Sequence, residues 1–501
     1  MRARALRAEW VKFRTVRGWV IAMIVAGLAI IALGVGPGNG HGSCDVASCE
    51  GPTGPGGEMV TDSFYFVRQP LPGDGSITVR VTSLAGEIPS YTGAGGRPGK
   101  RAGVMPWSKA GIIVKASTAQ GSAYAAMMVT GGHGVRMQYD YTGDIAGLPG
   151  SVSARSARWL RLTRSGDTVT GYDSADGTRW RRVGTVRLAG LPATAQAGLF
   201  ATSPQYAQTD AVFQNAVSGG PTQATGTFDH VGLTWPGGAW TGADIGAPQG
   251  PAAGPATGFR RADGGFSVTG SGDIAPAVAG PEGMGTTLAQ ALIGTFAGLI
   301  VIVVVGSMFM TAEYRRGLIR VTFAATPRRG KVLAAKAAVI GTVTFAVGLA
   351  ASAITVIVGQ RELRADGVYV WAASGLTQAR VIVGTAAVLA VAAVIAVALG
   401  AVLRRGAAAV ASVIVVLVLP YLLTVAVPIL PPGPANWLDR ITPAAAFAVQ
   451  QTAVAYPQVD NLYFPAQGFY PLAPWAGFAV MCGWAVVALA VAAYLLRRRD
   501  A

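Results

Sequence analysis

The chain has 501 residues, of which 51% are hydrophobic and 13% are charged, and its formal net charge is +16. This composition is typical of a membrane protein and argues against a wholly soluble or disordered chain. Its basic residues lie beside apolar runs rather than among interleaved aromatic residues, so the charge does not predict a nucleic-acid partner.

The first predicted element is a basic amphipathic helix over residues 1–17. Its apolar residues recur every three or four positions and therefore share one helical face. We expect this helix to lie in the membrane interface, with Trp10 at the headgroup level, Phe13 on the same face and Arg14 elsewhere. A first membrane span would follow and end near residue 36. The alternative is a signal peptide with Trp19–Val35 as its hydrophobic region.

A Gly/Pro-rich linker over 37–57 leads to a polar region over 58–280. Its short alternating segments, separated by turn residues, predict an all-β sandwich (jelly-roll) domain inserted between transmembrane helices 1 and 2. Phe266–Ala275 would return as a closing strand. Cys44 and Cys49 in the linker can form a disulfide if this region is extracytoplasmic, or they remain two free thiols.

Five further apolar runs are each long enough to cross a bilayer. They cover residues 288–311, 332–358, 376–403, 407–430 and 475–496. The basic segments at 312–331, 404–406 and 497–501 are expected in the cytoplasm by the positive-inside rule. The predicted fold is therefore a polytopic α-helical protein of the plasma membrane with six transmembrane helices. Both termini would be cytoplasmic, and residues 37–287 extracytoplasmic.

The predicted spans two to six carry no Asp or Glu in their interiors. Lys336 and Arg380 lie near span ends, where we expect them to extend toward the interface. A carrier driven by protons or sodium usually needs a carboxylate near the midplane, so this class of transporter is disfavoured. An intramembrane enzyme is disfavoured for the same reason. The chain also has no Gly-rich phosphate-binding motif, so ATP hydrolysis would come from another chain. We therefore predict a non-enzyme, with no cofactor and no metal site.

Three stretches resemble the membrane subunit (permease) of type-2 ABC exporters, especially those of actinobacteria. They are the interfacial helix Leu6–Arg17, the basic segment Glu313–Arg329 between spans two and three, and the outer-loop stretch Trp437–Pro443. The resemblance covers residues 1–36 and 286–501. It implies the permease subunit of an ATP-driven exporter, paired with a cytoplasmic ABC ATPase and working in the lipid bilayer as a homodimer or paired permease.

The resemblance also implies that the basic segment transmits nucleotide-driven motion into the spans. The residues carrying this role would be Glu313, Tyr314, Arg315, Arg316, Gly317, Arg320, Thr326, Pro327 and Arg329. The alternative is that the arginines only set topology and bind anionic lipids.

The inserted domain resembles a concanavalin/laminin-G-like jelly roll, a fold that often binds glycans but also serves as a scaffold. Trp107, Trp159 and Trp180 are candidates for stacking on a cell-envelope glycan, or they belong to the core. Paired carboxylates at alternate strand positions, as in glycan-cleaving relatives, are absent from the sequence. A second hypothesis follows, namely a membrane-anchored glycan or envelope-binding receptor without transport activity.

Overall fold

The computed structural model describes residues 2–35, 51–91, 98–209, 217–246, 255–262, 264–279, 286–325, 328–366, 368–423, 432–461, 463, 465 and 468–498. Cys44 and Cys49, with their two alternatives of a disulfide or free thiols, lie outside these residues. Within them, the chain forms a bundle of apolar helices and a large β-domain. The prediction of a membrane protein with a β-domain is confirmed.

The helices carry most of the N-terminal and C-terminal parts of the described chain. They are α1 (Arg2–Thr15), α2 (Arg17–Val35), α3 (Leu288–Ala291), α4 (Thr295–Arg315), α5 (Leu318–Ala325), α6 (Arg329–Ala365), α7 (Gly375–Leu403), α8 (Gly406–Tyr421), α9 (Pro432–Ile441), a 3₁₀ helix (Pro443–Gln450) and α10 (Pro474–Arg498). Five of the described helices, α2, α4, α6, α7 and α10, are long and apolar enough to cross a membrane, whereas α8 is a shorter apolar helix. The count of six spans therefore stays a prediction.

The second predicted span differs from the observed helix at both ends. Instead of one run over 288–311, the short α3 is followed by a turn, and α4 begins at Thr295 and continues to Arg315. The turn packs tightly on α2, since a Cβ on Gly294 would lie 2.4 Å from the Ile30 carbonyl oxygen. The extension at the other end places Glu313 in the last turn of α4.

Helix α7 lies at the centre of the bundle, where it contacts α4, α6, α8 and α10. Small residues allow these close approaches. A Cβ on Gly400 would lie 3.1 Å from the Ser307 carbonyl oxygen of α4, and one on Gly348 would lie 3.1 Å from the Ala386 Cα of α7. Close backbone packing at Gly and Ala is how helices associate in a bilayer, where the lipid tails are as apolar as the side chains.

The β-domain is formed by strands β1 to β19. These are β1 (Val60–Asp62), β2 (Phe64–Pro72), β3 (Gly75–Tyr91), β4 (Pro98–Ala102), β5 (Lys109–Lys115), β6 (Tyr124–Thr130), β7 (Val135–Tyr139), β8 (Gly143–Ala146), β9 (Arg158–Ser165), β10 (Thr168–Ser174), β11 (Arg181–Arg187), β12 (Thr194–Thr202), β13 (Tyr206–Thr209), β14 (Val217–Gly220), β15 (Gln223–Leu233), β16 (Thr241–Ile245), β17 (Gly258–Ala262), β18 (Gly265–Gly270) and β19 (Ile274–Pro276). An eight-stranded sheet has the order β11-β10-β9-β3-β15-β18-β17, with β4 beside β3, and a seven-stranded sheet has the order β16-β2-β12-β5-β6-β7-β8.

The two sheets enclose an apolar core that includes Val79, Ile112, Met127, Leu160 and Leu199. The seven-stranded sheet is also covered on its second face, where Phe64, Phe66, Tyr124, Phe200 and Ile274 form a separate buried cluster. Every residue of β5 and β6 is consequently buried. The outer face of the eight-stranded sheet instead carries polar and half-buried side chains at alternate positions.

The two ends of the β-domain meet in a short antiparallel pair. Val60 of β1 lies opposite Pro276 of β19, as expected for a domain inserted into another chain segment. The domain also contacts the chain segment that follows the 3₁₀ helix of the bundle. Asp460 accepts a hydrogen bond from the Trp107 backbone N–H at 3.2 Å, and the Gln458 side chain donates to the Thr142 carbonyl at 3.1 Å.

Candidate coupling site

Four charged side chains meet where α1, α4 and α6 come together. Lys336 Nζ donates to Glu9 Oε2 and to Glu313 Oε1, both at 2.7 Å. Lys12 Nζ donates to Glu9 Oε1 at 3.0 Å and to Glu313 Oε1 at 2.9 Å. These four residues, called here the charge cluster, join elements more than 300 residues apart in sequence.

The charge cluster is largely shielded from solvent. The exposed fraction of the side chain is 0% for Lys336, 4% for Glu9 and 10% for Glu313, while Lys12 at 41% lies at the edge. The Lys336 ammonium also lies 4.5 Å from the centre of the Phe309 ring. Two positive charges balance two negative ones, which is the arrangement that makes buried charges tolerable.

Electrostatic interactions at the edge of the charge cluster favour the charged state of Lys12. Burial lowers the pKa of Lys12, but the hydrogen bonds and charges of Glu313 and Glu9 outweigh burial and raise the pKa above its usual value. Lys12 therefore stays protonated throughout the physiological range. The charge cluster thus holds α1 on the ends of α4 and α6.

The expectation that Lys336 would extend toward the interface is wrong. Its side chain is fully buried because Glu9 and Glu313 supply counter-charges inside the bundle. Arg380, which carried the same expectation, is half-buried and donates to the Gln451 carbonyl just after the 3₁₀ helix.

A sharp turn separates α4 from the next helix. Gly317 has a φ of +66°, in the left-handed region that glycine adopts without a steric cost. Its backbone N–H donates to the Tyr314 carbonyl at 3.2 Å. This turn ends α4 and redirects the chain into α5.

Helix α5 has two different apolar faces. Ile319 and Phe323, one turn apart, are 3% and 9% exposed and pack on the bundle. Leu318 and Val321 point away from it and are 49% and 68% exposed. An exposed apolar face on a short helix outside the spans is a feature of interaction surfaces.

Arg329, the first residue of α6, connects three helices. Its Nη1 donates to the Leu496 carbonyl near the end of α10 at 2.7 Å, and its guanidinium lies 5.2 Å from the centre of the Phe323 ring of α5. Tyr314 makes a comparable contact, with the Arg404 guanidinium 5.2 Å from its ring, at the turn between α7 and α8. Arg329 of α6 therefore links α5 to the end of α10.

The remaining predicted coupling residues have less contact with the bundle. Arg315 and Arg316 are exposed at the end of α4. The side chain of Arg320, and Thr326 and Pro327 entirely, lie outside the described residues.

In α1, Phe13 is 4% exposed and lies edge-on to Phe309 at 5.9 Å, while Trp10 is 45% exposed and Arg14 is exposed. The face that packs on the bundle therefore includes Glu9 together with Phe13. Sequence reasoning missed Glu9, Lys12 and Lys336 as site residues. The available signal was a single acid in a basic helix and a single lysine in an apolar run.

A groove of about 470 Å³ runs between α4 and α8. Its wall is mostly small or apolar, and Arg315 lies at one end. The lining residues are Met308, Thr311, Ala312, Arg315, Gly406, Ala407, Val410, Ala411 and Ile414. The groove lies directly beside the end of α4 that carries the charge cluster.

The three tryptophans named as stacking candidates lie in different surroundings. Trp107 is 4% exposed and stacked on His133 at 4.1 Å, so it is not available to a ligand. Trp159 is half-buried beside His230, with ring centres 5.2 Å apart. Trp180 is half-buried and lies under the Arg161 guanidinium at 3.9 Å. The last two belong to the outer face of the eight-stranded sheet.

The family model described as "ABC-2 family transporter protein" matches residues 151–501. The chain belongs to this family. An ABC-2 transporter protein of this kind is a membrane subunit, which agrees with the apolar helices and with the placement of charged residues at their ends. The fold and the family together support a multi-pass permease subunit.

A search of the curated proteins found no match to this ABC-2 transporter protein. Among solved structures, a functionally unknown protein from Saccharomyces cerevisiae is similar at 17% identity, covering 35% of this chain and 77% of that one, with a TM-score of 0.20. Scytalido-glutamic peptidase with a transition state analog inhibitor is similar at 11% identity, covering 42% of this chain and 98% of that one, with a TM-score of 0.24. Both TM-scores are too low to indicate a shared overall fold.

Proposed function

We propose that this chain is the permease subunit of an ATP-driven exporter and that α5 docks on a separate cytoplasmic ATPase. The observation that carries the proposal is the exposed apolar face of α5, formed by Leu318 and Val321, on a helix whose other face is anchored in the bundle. A helix with one exposed and one buried apolar face can bind a soluble partner through the first face and transmit its displacement to the bundle through the second.

The contacts of α5 give the motion a route into the spans. Arg329 joins α5 to α6 and α10, and Gly317 joins it to α4. The charge cluster then makes α1, α4 and α6 move together, because separating any of them would leave a buried charge without its partner. In this proposal Glu313, Tyr314 and Arg329 pass the motion on, while Arg315, Arg316 and Arg320 face the ATPase or the lipid headgroups.

The proposed topology has six spans, with α8 as part of the fifth, both termini in the cytoplasm and the β-domain outside. The arginines at the ends of α4, α7 and α10 support it through the positive-inside rule. Two copies of the chain, or one copy and a paired permease, would bring the grooves between α4 and α8 together to enclose a path. The β-domain would serve as a recognition or scaffold domain.

The test is co-purification from native membranes with ATPase measurement. Leu318→Gln/Val321→Gln should lose the bound ATPase, because burying two amides in an apolar interface costs about 1–3 kcal/mol each. The control is Val16→Gln/Leu403→Gln, which changes two exposed apolar residues outside α5 (42% and 37% exposed) and should keep the ATPase. If the wild-type chain brings down no ATPase, the proposal is wrong and the receptor hypothesis becomes the better one.

A further inference from the structure

The outer face of the eight-stranded sheet carries a row of cross-strand partners. None of these residues belongs to the candidate coupling site. Arg182 of β11 lies opposite Tyr172 of β10, Tyr172 lies opposite Arg161 of β9, and Arg161 lies opposite Thr78 of β3. Residues opposite one another on neighbouring strands project from the same face. These four side chains therefore form one polar row across the sheet.

Arg161 is held in place by its neighbours. Its guanidinium lies 3.9 Å from the centre of the Trp180 ring, and its Nε donates to Thr78 Oγ1 at 3.0 Å. The two terminal nitrogens donate to no protein group within the described residues. An arginine fixed by stacking, with its terminal edge open, is ready to bind a carboxylate or phosphate in a bidentate manner.

Arg182 provides a second positive charge at the other end of the row. It is exposed, and no hydrogen bond or ion pair to it is found among the described residues. Two strand spacings separate it from Arg161, which corresponds to about 10 Å between their backbones. Arg80, on the next row, is already paired with Asp229 at 3.3 Å, so the uncompensated charge within these two rows belongs to Arg161 and Arg182.

Aromatic rings surround these two arginines. Tyr172 lies between them, Trp180 lies beneath Arg161, and Trp159 lies on the adjacent row of β9 opposite Arg80. All three rings are half-buried, which leaves part of each surface open to a ligand. Separated cations with ring faces between them fit a chain of sugars that carries repeated negative charges, rather than a single small anion.

We infer that this face binds an anionic polysaccharide, with Arg161 and Arg182 contacting successive acidic groups and Tyr172 and Trp180 contacting the sugar rings. The inference rests on the extracytoplasmic placement of the β-domain proposed above, since such polymers lie outside the cell membrane. It does not depend on ATP-driven transport, and a binding assay on the purified chain can fail independently of it.

The test uses the full chain in detergent, immobilised and exposed to polygalacturonate as the acidic glycan, dextran as the neutral glycan and polyphosphate as a polyanion without sugar. Binding is measured by biolayer interferometry. We expect the wild type to bind polygalacturonate more tightly than either of the others. Arg161→Gln/Arg182→Gln should weaken this binding by about tenfold or more, equivalent to about 1.4 kcal/mol.

The matched control is Arg179→Gln/Arg187→Gln, which removes the same charge from two side chains that are 92% and 81% exposed. It should leave the affinity within about twofold, because both arginines lie outside the row and are already paired with Asp176 and Asp167, in exposed ion pairs whose loss costs little stability. Equal weakening in both double variants would mean non-specific charge attraction and would overturn the inference. Absence of polygalacturonate binding, or equal binding of polyphosphate or dextran, would overturn it as well. Thermal unfolding of each variant is measured to check that the fold is retained.

Discussion

Replacing Lys336 by methionine tests whether the charge cluster holds α1, α4 and α6 together. Methionine fills the space of the lysine side chain up to Cε and lacks the charged Nζ. Glu9 and Glu313 would then share Lys12 alone, whose side chain is 41% exposed, while their own side chains stay 4% and 10% exposed. Two buried carboxylates with one partner repel each other, so one must take up a proton or move toward water.

The size of the effect follows from the contacts that are lost. Lys336 donates two hydrogen bonds at 2.7 Å to carboxylates, and hydrogen bonds to charged groups contribute about 1.5–3 kcal/mol each. Removing one partner of a buried ion pair costs about 3–5 kcal/mol. Because Lys12 remains and admits some water, we expect about 3 kcal/mol, or a fall in Tm of about 6–10 °C.

The assay is thermal unfolding in detergent, combined with limited trypsin digestion at the arginines of α1. The variant should melt earlier and be cleaved faster within α1, since that helix would lose its buried anchor. Lys331→Met, five positions earlier in α6 and outside the charge cluster, is the control and should resemble the wild type.

The triple variant Glu9→Gln/Glu313→Gln/Lys336→Met removes the unbalanced charge and should recover much of the lost Tm, because replacing a whole buried charge group is often close to neutral. If Lys336→Met alone leaves Tm and cleavage unchanged, or if the triple variant melts lower still, the role given to the charge cluster is wrong.

Three further predictions concern other parts of the molecule. Gly317→Val forces a β-branched side chain into the left-handed region at a cost of about 1–2 kcal/mol, so ATPase stimulation should fall, whereas Gly330→Ala, at a helical position with open space around it, should be neutral. Arg329→Gln should lower Tm by a few degrees and reduce transport-linked ATPase activity through loss of its contact with the end of α10, and the exposed Arg328→Gln should do neither. Burial, aided by the Asp273 charge, raises the pKa of Asp460 to about 6. The folded state therefore binds the extra proton, and the stability of the junction between β-domain and bundle should fall as pH rises from about 4 to about 6 and then level off. Chemical unfolding of Asp460→Asn should lose that slope, and an unchanged slope would contradict the assignment.

The position of the basic segment Glu313–Arg329 could be predicted from sequence, but its contacts with other helices could not. A basic stretch between two apolar runs predicts a loop between two spans, and the positive-inside rule predicts that this loop is cytoplasmic. That Arg329 would reach the Leu496 carbonyl depends on how α10 packs beside α6. No pattern within either segment specifies that approach, because the two residues lie 167 positions apart.

The same distinction between predictable and unpredictable features applies to the β-domain. Turn residues between short segments predict many short strands over 58–280, and the structure has such strands in β5, β6 and β9, among others. The stretch Phe266–Ala275, predicted as one closing strand, is divided between β18 and β19, which belong to different sheets. The order of strands in the sheets was not predictable from the chain, nor was the burial of Trp107, whose ring is stacked on His133.

By itself, the sequence determined the properties that depend on neighbouring residues. These are which segments are apolar enough to enter a membrane, which segments form strands, and which loops carry the basic clusters. These are local because hydropathy, alternation and turn chemistry act over a few residues. Only the tertiary structure decided that Glu9, Lys12, Glu313 and Lys336 form one buried cluster and that Arg161 is held open on an exposed sheet. Both depend on distant segments meeting, since a charge can be buried only where its counter-charge arrives from elsewhere in the chain.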